Sequence, residues 1–184
     1  MTIIVGISGS LRRESYNSAL LRAAAAMMPA GGRLDIHSIQ PIPLYNGDDE
    51  AATGIPLAVA ALKDAIAAAD GLLIATPEYN NSIPGVAKNA IDWLTRPTSD
   101  IQRVFAGKPV ALVGATTGGF GTALAQNAWI PILHKLGARI WSGGRLMVSG
   151  ADKAFDAEGN MIDDAVRSAL RTFLEGFAGQ LQGR

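Results

Sequence analysis

Short unbroken runs of Ile, Leu and Val alternate along this chain with longer stretches in which apolar residues recur every three or four positions. Runs of the first kind suit strands buried on both faces, and stretches of the second kind suit helices that lay one apolar stripe on a sheet. A chain that keeps switching between the two periods is directed toward a parallel sheet covered by helices on both sides. The first strand is expected at Ile3–Ile7, followed by a polar loop at Ser8–Ser15. A helix then places Leu20, Leu21, Ala24, Met27 and Met28 on one face, and Gly31 and Gly32 stop it. The second strand is expected at Leu34–Ile39. Pro41, Pro43, Asn46 and Gly47 mark a long loop before a helix from about Pro56 to Ala69.

The third strand, Gly71–Ala75, ends at Pro77, and the next helix runs from Val86 to about Thr95. A fourth strand covers Val110–Gly114 and opens into the glycine-rich loop Thr116–Gly121. The following helix carries Pro131 inside its pattern, so a kink or break near Trp129 is expected before Gly137 ends it. The fifth strand is expected at Arg139–Trp141, resuming at Leu146–Val148. The last helix shows Val166, Leu170, Phe173, Leu174 and Phe177 on one stripe. Five strands in one domain, residues 1–184, give an open doubly wound α/β/α sheet of order 2-1-3-4-5. In such sheets ligands lie beyond the carboxyl ends of the strands, which singles out the loops after strands one, three and four.

Composition narrows the chemistry. Sixteen basic residues balance sixteen acidic ones, leaving no basic footprint for nucleic acid or an anionic membrane surface. No cysteine is present, which removes thiolate nucleophiles, redox dithiols and Cys-ligated metals. The two histidines, His37 and His134, are too few for a metal site. The N-terminus reads as a strand rather than a secretory signal, and Lys63 and Asp64 interrupt the longest apolar stretch, so a cytoplasmic protein without a membrane span is expected.

The first loop, Gly9-Ser10-Leu11-Arg12-Arg13-Glu14-Ser15-Tyr16-Asn17, ends where a helix begins. Backbone N–H groups, hydroxyls and a guanidinium there suit a phosphate. The same residues serve equally as a helix cap beside two solvated arginines. No Walker or dinucleotide glycine fingerprint is present. The second loop, Thr76 to Gly85, is stiffened by two prolines and carries donors and acceptors beside one aromatic ring, which suits the edge of a flat heterocycle. Its other reading is a turn-rich connection in which Asn81 or Ser82 caps the next helix. The third loop, with Gly118, Gly119 and Gly121, allows close backbone approach to a ligand. Asp48, Asp49 and Glu50 read as a solvated turn, and Trp93 and Trp129 as core or interface anchors.

Pro77-Glu78-Tyr79-Asn80-Asn81-Ser82-Ile83-Pro84-Gly85, running into Lys88-Asn89-Ala90-Ile91-Asp92-Trp93, resembles the signature of the NAD(P)H-dependent FMN reductases. That family includes quinone, azo and chromate reductases of flavodoxin-like fold, and the resemblance spans nearly the whole chain. It implies that Ser10, Arg12, Ser15 and Asn17 hold the FMN phosphate. Pro77, Glu78, Tyr79, Asn80 and Ser82 would then border the isoalloxazine, with Thr116, Gly118 and Gly119 on its pyrimidine side. It further implies NADPH or NADH as co-substrate, a small-molecule electron acceptor such as a quinone, and a homodimer or homotetramer. The chain departs from many relatives at Gly121-Thr122, where they carry paired glycines, and at Gly144-Arg145, where they carry Pro-Glu. An electron carrier of the same fold, binding FMN without oxidising a nicotinamide, is the alternative. The balanced charge and the arginine in the phosphate loop count against it.

Overall fold

The computed structural model describes residues 1–183. In chain order they form β1 (Thr2–Ser8), α1 (Tyr16–Ala26), β2 (Gly32–His37), α2 (Gly47–Thr53), α3 (Leu57–Ala68), β3 (Gly71–Ala75), α4 (Gly85–Leu94) and α5 (Asp100–Val104). Then follow β4 (Pro109–Ala115), α6 (Ala123–Lys135), β5 (Arg139–Ile140), β6 (Leu146–Val148), α7 (Ala151–Ala154) and α8 (Asp164–Gln182). The sheet is parallel, with order β2-β1-β3-β4-β5 and β6 also paired to β4. This is the doubly wound, flavodoxin-like arrangement that the alternating periods imply.

Period-two geometry sorts each central strand between two cores. Leu73 and Ala75 of β3, with Ala111 and Val113 of β4, pack under α1 and α8 against Leu20, Leu21, Phe173 and Phe177. Their neighbours Leu72, Ile74, Val110 and Leu112 pack on the opposite side, against Val59, Leu62, Ile66, Trp93 and Trp129. Both tryptophans are fully buried core residues. The register aligns the carboxyl ends that form the site, pairing Ser8 with Ala75, Ala75 with Val113 and Ala115 with Val148.

As the expected resumption at Leu146 implies, the fifth strand comes in two pieces: β5 pairs with Pro109 and Val110, and β6 with Val113 to Ala115. The structure departs from the sequence reading in three places. Asp48, Asp49 and Glu50 are not a turn but the first turn of α2, where carboxylates complement the helix dipole and Asn46 caps the Asp48 N–H at 3.0 Å. α6 runs through Pro131 without a break. α1 stops at Ala26, with Met27 as its C-cap and Met28 beyond it, several residues before the glycines that were expected to end it. Among the described residues, no single helix is long and apolar enough to cross a membrane.

Candidate active site

The carboxyl ends of β1, β3 and β4 open into a cavity of about 180 Å³. From the first loop it is lined by Ser10, Arg12, Ser15, Tyr16 and Asn17. The second loop contributes Pro77, Glu78 and Tyr79, and the end of β4 contributes Ala115, Thr116 and Thr117. Three segments that are distant in sequence therefore converge where the strand order reverses, between β1 and β3.

The first loop is anchored at its start by the Gly9 N–H on the Ala75 carbonyl, 2.8 Å. Ser10 Oγ accepts from the Arg12 N–H at 3.3 Å. Ser15 is the N-cap of α1, its Oγ accepting from the Ser18 N–H at 3.4 Å. A hydroxyl that accepts in this way keeps its hydrogen to donate, so capping and ligand binding are compatible at Ser15. Arg12 is exposed and forms no ion pair among the described residues. Asn17 is different. The residue is 3% exposed, and its side chain donates from Nδ2 to the Ala115 carbonyl at 2.9 Å while Oδ1 accepts from the Ala115 N–H at 3.0 Å.

The second loop folds back on itself. Tyr79 and Ser82 exchange backbone hydrogen bonds of 3.0 Å each way, and Asn80 and Asn81 between them have φ of 50° and 61°. Two positive φ values in a two-residue connection match the hairpin turn that asparagine tolerates better than other side-chain-bearing residues. Asn80 and Ser82 thus belong to the turn and lie outside the cavity lining, while Tyr79 stands half exposed at its mouth. Asn81 and Ser82 do not cap α4, whose N-cap is Pro84. Glu78 turns away from the loop: its Oε2 accepts from the Leu124 N–H at 2.8 Å and the Ala125 N–H at 3.0 Å. It caps α6 from another loop, and Thr122, the N-cap by position, makes no side-chain cap bond.

The third loop is tied on its outer side to β6 and α7. The Thr116 N–H donates to the Val148 carbonyl, and the Ala151 N–H donates to the Thr116 carbonyl, both at 3.0 Å. Gly121 needs its hydrogen side chain, since it has φ of 61° and an added Cβ would lie 2.8 Å from Met147 Cβ. Gly118 and Gly119 are exposed outside the cavity lining. Tyr16, Ala115 and Thr117 line the cavity without having been singled out from the sequence. Ala115 and Thr117 follow from the rule that sites sit just past strand ends, whereas nothing local marks Tyr16.

A family model described as NADPH-dependent FMN reductase matches residues 2–153. The chain belongs to the NADPH-dependent FMN reductase family. It is 46% identical over 172 residues to an NAD(P)H-dependent FMN reductase of Pseudomonas aeruginosa, covering 94% of this chain and 91% of that one. It is 38% identical to a 2-hydroxy-1,4-benzoquinone reductase of a Burkholderia species, over 98% of this chain and 97% of the relative. The flavoenzyme NAD(P)H:(acceptor) oxidoreductase of Paracoccus denitrificans superposes with a TM-score of 0.85 at 35% identity, covering 100% of this chain and 98% of that structure. Membership makes the chain an oxidoreductase of a family that uses FMN with a nicotinamide nucleotide.

The side chains of this reductase fit that cofactor. Glu78 is the only carboxylate lining the cavity, and it is directed at the N-terminus of α6. The hydroxyls of Ser10 and Ser15, the Arg12 guanidinium and the amino end of α1 line the same space, in which the Oε2 of Glu78 is taken up by the Leu124 and Ala125 N–H groups.

Proposed function

We propose that this cavity binds FMN and that the protein reduces quinones, or acceptors of similar size and potential, at the expense of NADPH or NADH. The observation that carries this is the donor-rich cavity at the switch point, whose single carboxylate is turned outward. In this reading Ser10, Arg12 and Ser15 hold the phosphate, while Pro77, Tyr79, Asn80 and Ser82 border the flat ring. Thr116, Gly118 and Gly119 stabilise the negative charge that reduction places on its pyrimidine side. When bound, FMN would supply the two-electron redox chemistry that links the nicotinamide to the acceptor. No side chain of this protein is required as nucleophile or proton donor; the protein orients the reactants and controls access.

Alternating occupancy of the flavin face by nucleotide and acceptor belongs to the same proposal, and it predicts ping-pong kinetics with parallel double-reciprocal plots. Azo compounds and chromate belong to the same proposal as further acceptors. The exposed apolar side chains of Phe120 and Leu124 beside the third loop support self-association, which light scattering at micromolar concentration measures.

The deciding experiment is anaerobic stopped-flow absorbance of FMN-loaded protein mixed with NADPH and, separately, NADH. Rapid loss of the oxidised flavin band is expected with at least one donor. Bound flavin that stayed oxidised with both would transfer the reading to an electron carrier.

A further inference from the structure

The third loop carries no long polar side chain of its own, and both of its ends are held by side chains of the other two loops. At its start, Ala115 is gripped on both backbone groups by Asn17, a buried residue of the first loop and α1. Just past its end, the Leu124 and Ala125 N–H groups are gripped by Glu78 of the second loop. These four bonds, of 2.8 to 3.0 Å, each join residues 46 to 98 positions apart in sequence. Asn17 and Glu78 both line the one cavity.

We infer that Asn17 and Glu78 are positioning residues. They set the third loop at a fixed height against the other two, and thereby set how well the cavity receives the flavin ring. This inference rests on the FMN reading above, and it separates these two residues from Ser10, Arg12 and Ser15, whose polar atoms remain available to a phosphate. Both heteroatoms of Asn17 are engaged with β4, and an amide held on Ala115 from two sides is not free to follow a ligand. Glu78 bears a charge that would repel a phosphate, and its Oε2 is already shared between two N–H donors. Backbone bonds of Thr116 to Val148 and Ala151 tie the loop to β6 and α7 on its outer side, whereas Asn17 and Glu78 tie it to the first and second loops. Loosening either grip therefore shifts the third loop relative to the loop that supplies the grip.

The test compares two flavins that differ only in the phosphate. FMN and riboflavin are titrated by fluorescence quenching into wild-type protein and into the Asn17→Ala, Glu78→Ala and Glu78→Gln variants, well below each protein's melting temperature. Positioning predicts that Asn17→Ala and Glu78→Ala weaken both flavins by the same factor, on the order of tenfold. Glu78→Gln, which keeps an acceptor oxygen for the two N–H groups, restores most of the affinity. A residue that merely stabilises the fold would lower the melting temperature and leave both dissociation constants alone; that result overturns the inference. A loss confined to FMN in Asn17→Ala would return that residue to the phosphate site and also overturn it. Wild-type protein that quenched neither flavin would defeat the FMN reading itself, and this inference with it, whereas unchanged variants beside a binding wild type would defeat this inference alone.

Discussion

Gly114, in the interior of β4, shows how closely the chain packs behind the site. A Cβ there would overlap Thr122 Oγ1 and the Thr76 carbonyl oxygen, and the latter atom belongs to backbone that cannot swing aside. Gly114→Ala is expected to cost about 3 kcal/mol or more, beyond the usual overpacking penalty, because the obstruction is backbone. The urea midpoint measures this, and a variant as stable as wild type would show that β3 and β4 separate more easily than the structure implies. Thr122 itself is fully buried, and its Oγ1 accepts from Gln126 Nε2 at 3.1 Å. The hydroxyl that blocks a larger residue at position 114 is thus engaged with α6. The sequence marked Gly118, Gly119 and Gly121 as one run, yet the close packing falls on Gly121 and on Gly114, which looks like an ordinary strand residue.

At the scale of elements, the signature helix α4 does more than border the second loop. Its Asn89 and Trp93 hold the connection after β2: Asn89 Nδ2 and Trp93 Nε1 donate to the Pro43 carbonyl at 2.8 and 2.9 Å, and Asn89 Oδ1 accepts from the Tyr45 N–H at 2.8 Å. The same strap leads into α2, where Glu50 accepts from Arg96 Nε at 2.8 Å and from the Tyr45 hydroxyl at 2.9 Å. The Arg96 hydrogen bond, chiefly, holds the Glu50 carboxyl below its ordinary range, and partial burial opposes the shift. A carboxylate with a lowered native pKa stabilises the fold above its unfolded value, about 4, and that contribution disappears as pH falls through the lower native value. Glu50→Gln should therefore lie below wild type in urea midpoint at neutral pH and converge with it in acid. Asp100, lowered mainly by its hydrogen bond from the buried Lys63, follows the same sign. A Glu50→Gln curve parallel to wild type from pH 7 to acid would remove the strap from the acid response.

For the whole molecule, the site is assembled by three loops that the sheet only brings near one another, so ligand binding and folding are linked. A ligand that binds the native state alone at one hundred times its dissociation constant adds about 2.7 kcal/mol. For a chain of 184 residues this corresponds to a melting temperature higher by roughly 5–10 °C. FMN added to apoprotein is expected to produce a shift of that size in differential scanning calorimetry, growing with FMN concentration. Riboflavin should give less, since it forgoes the donors of the first loop. Equal shifts from both flavins would mean that Ser10, Arg12 and Ser15 contribute little to affinity.

Sequence alone determined the architecture, because hydrophobic period records which faces are buried, and five apolar runs separated by helical stretches leave little freedom in a parallel sheet. It also pointed to the three loops and, through the Pro77–Trp93 signature, to the family. It could not show that Asn17 holds β4 or that Glu78 caps α6, since each pairing joins a side chain to backbone groups whose identity leaves no trace in the partner's residue type. Nor could it show the turn at Asn80 and Asn81 as anything beyond turn chemistry. Burial is a property of a residue and is read locally, whereas a long-range hydrogen bond is a property of two distant places and exists only once the fold has brought them together.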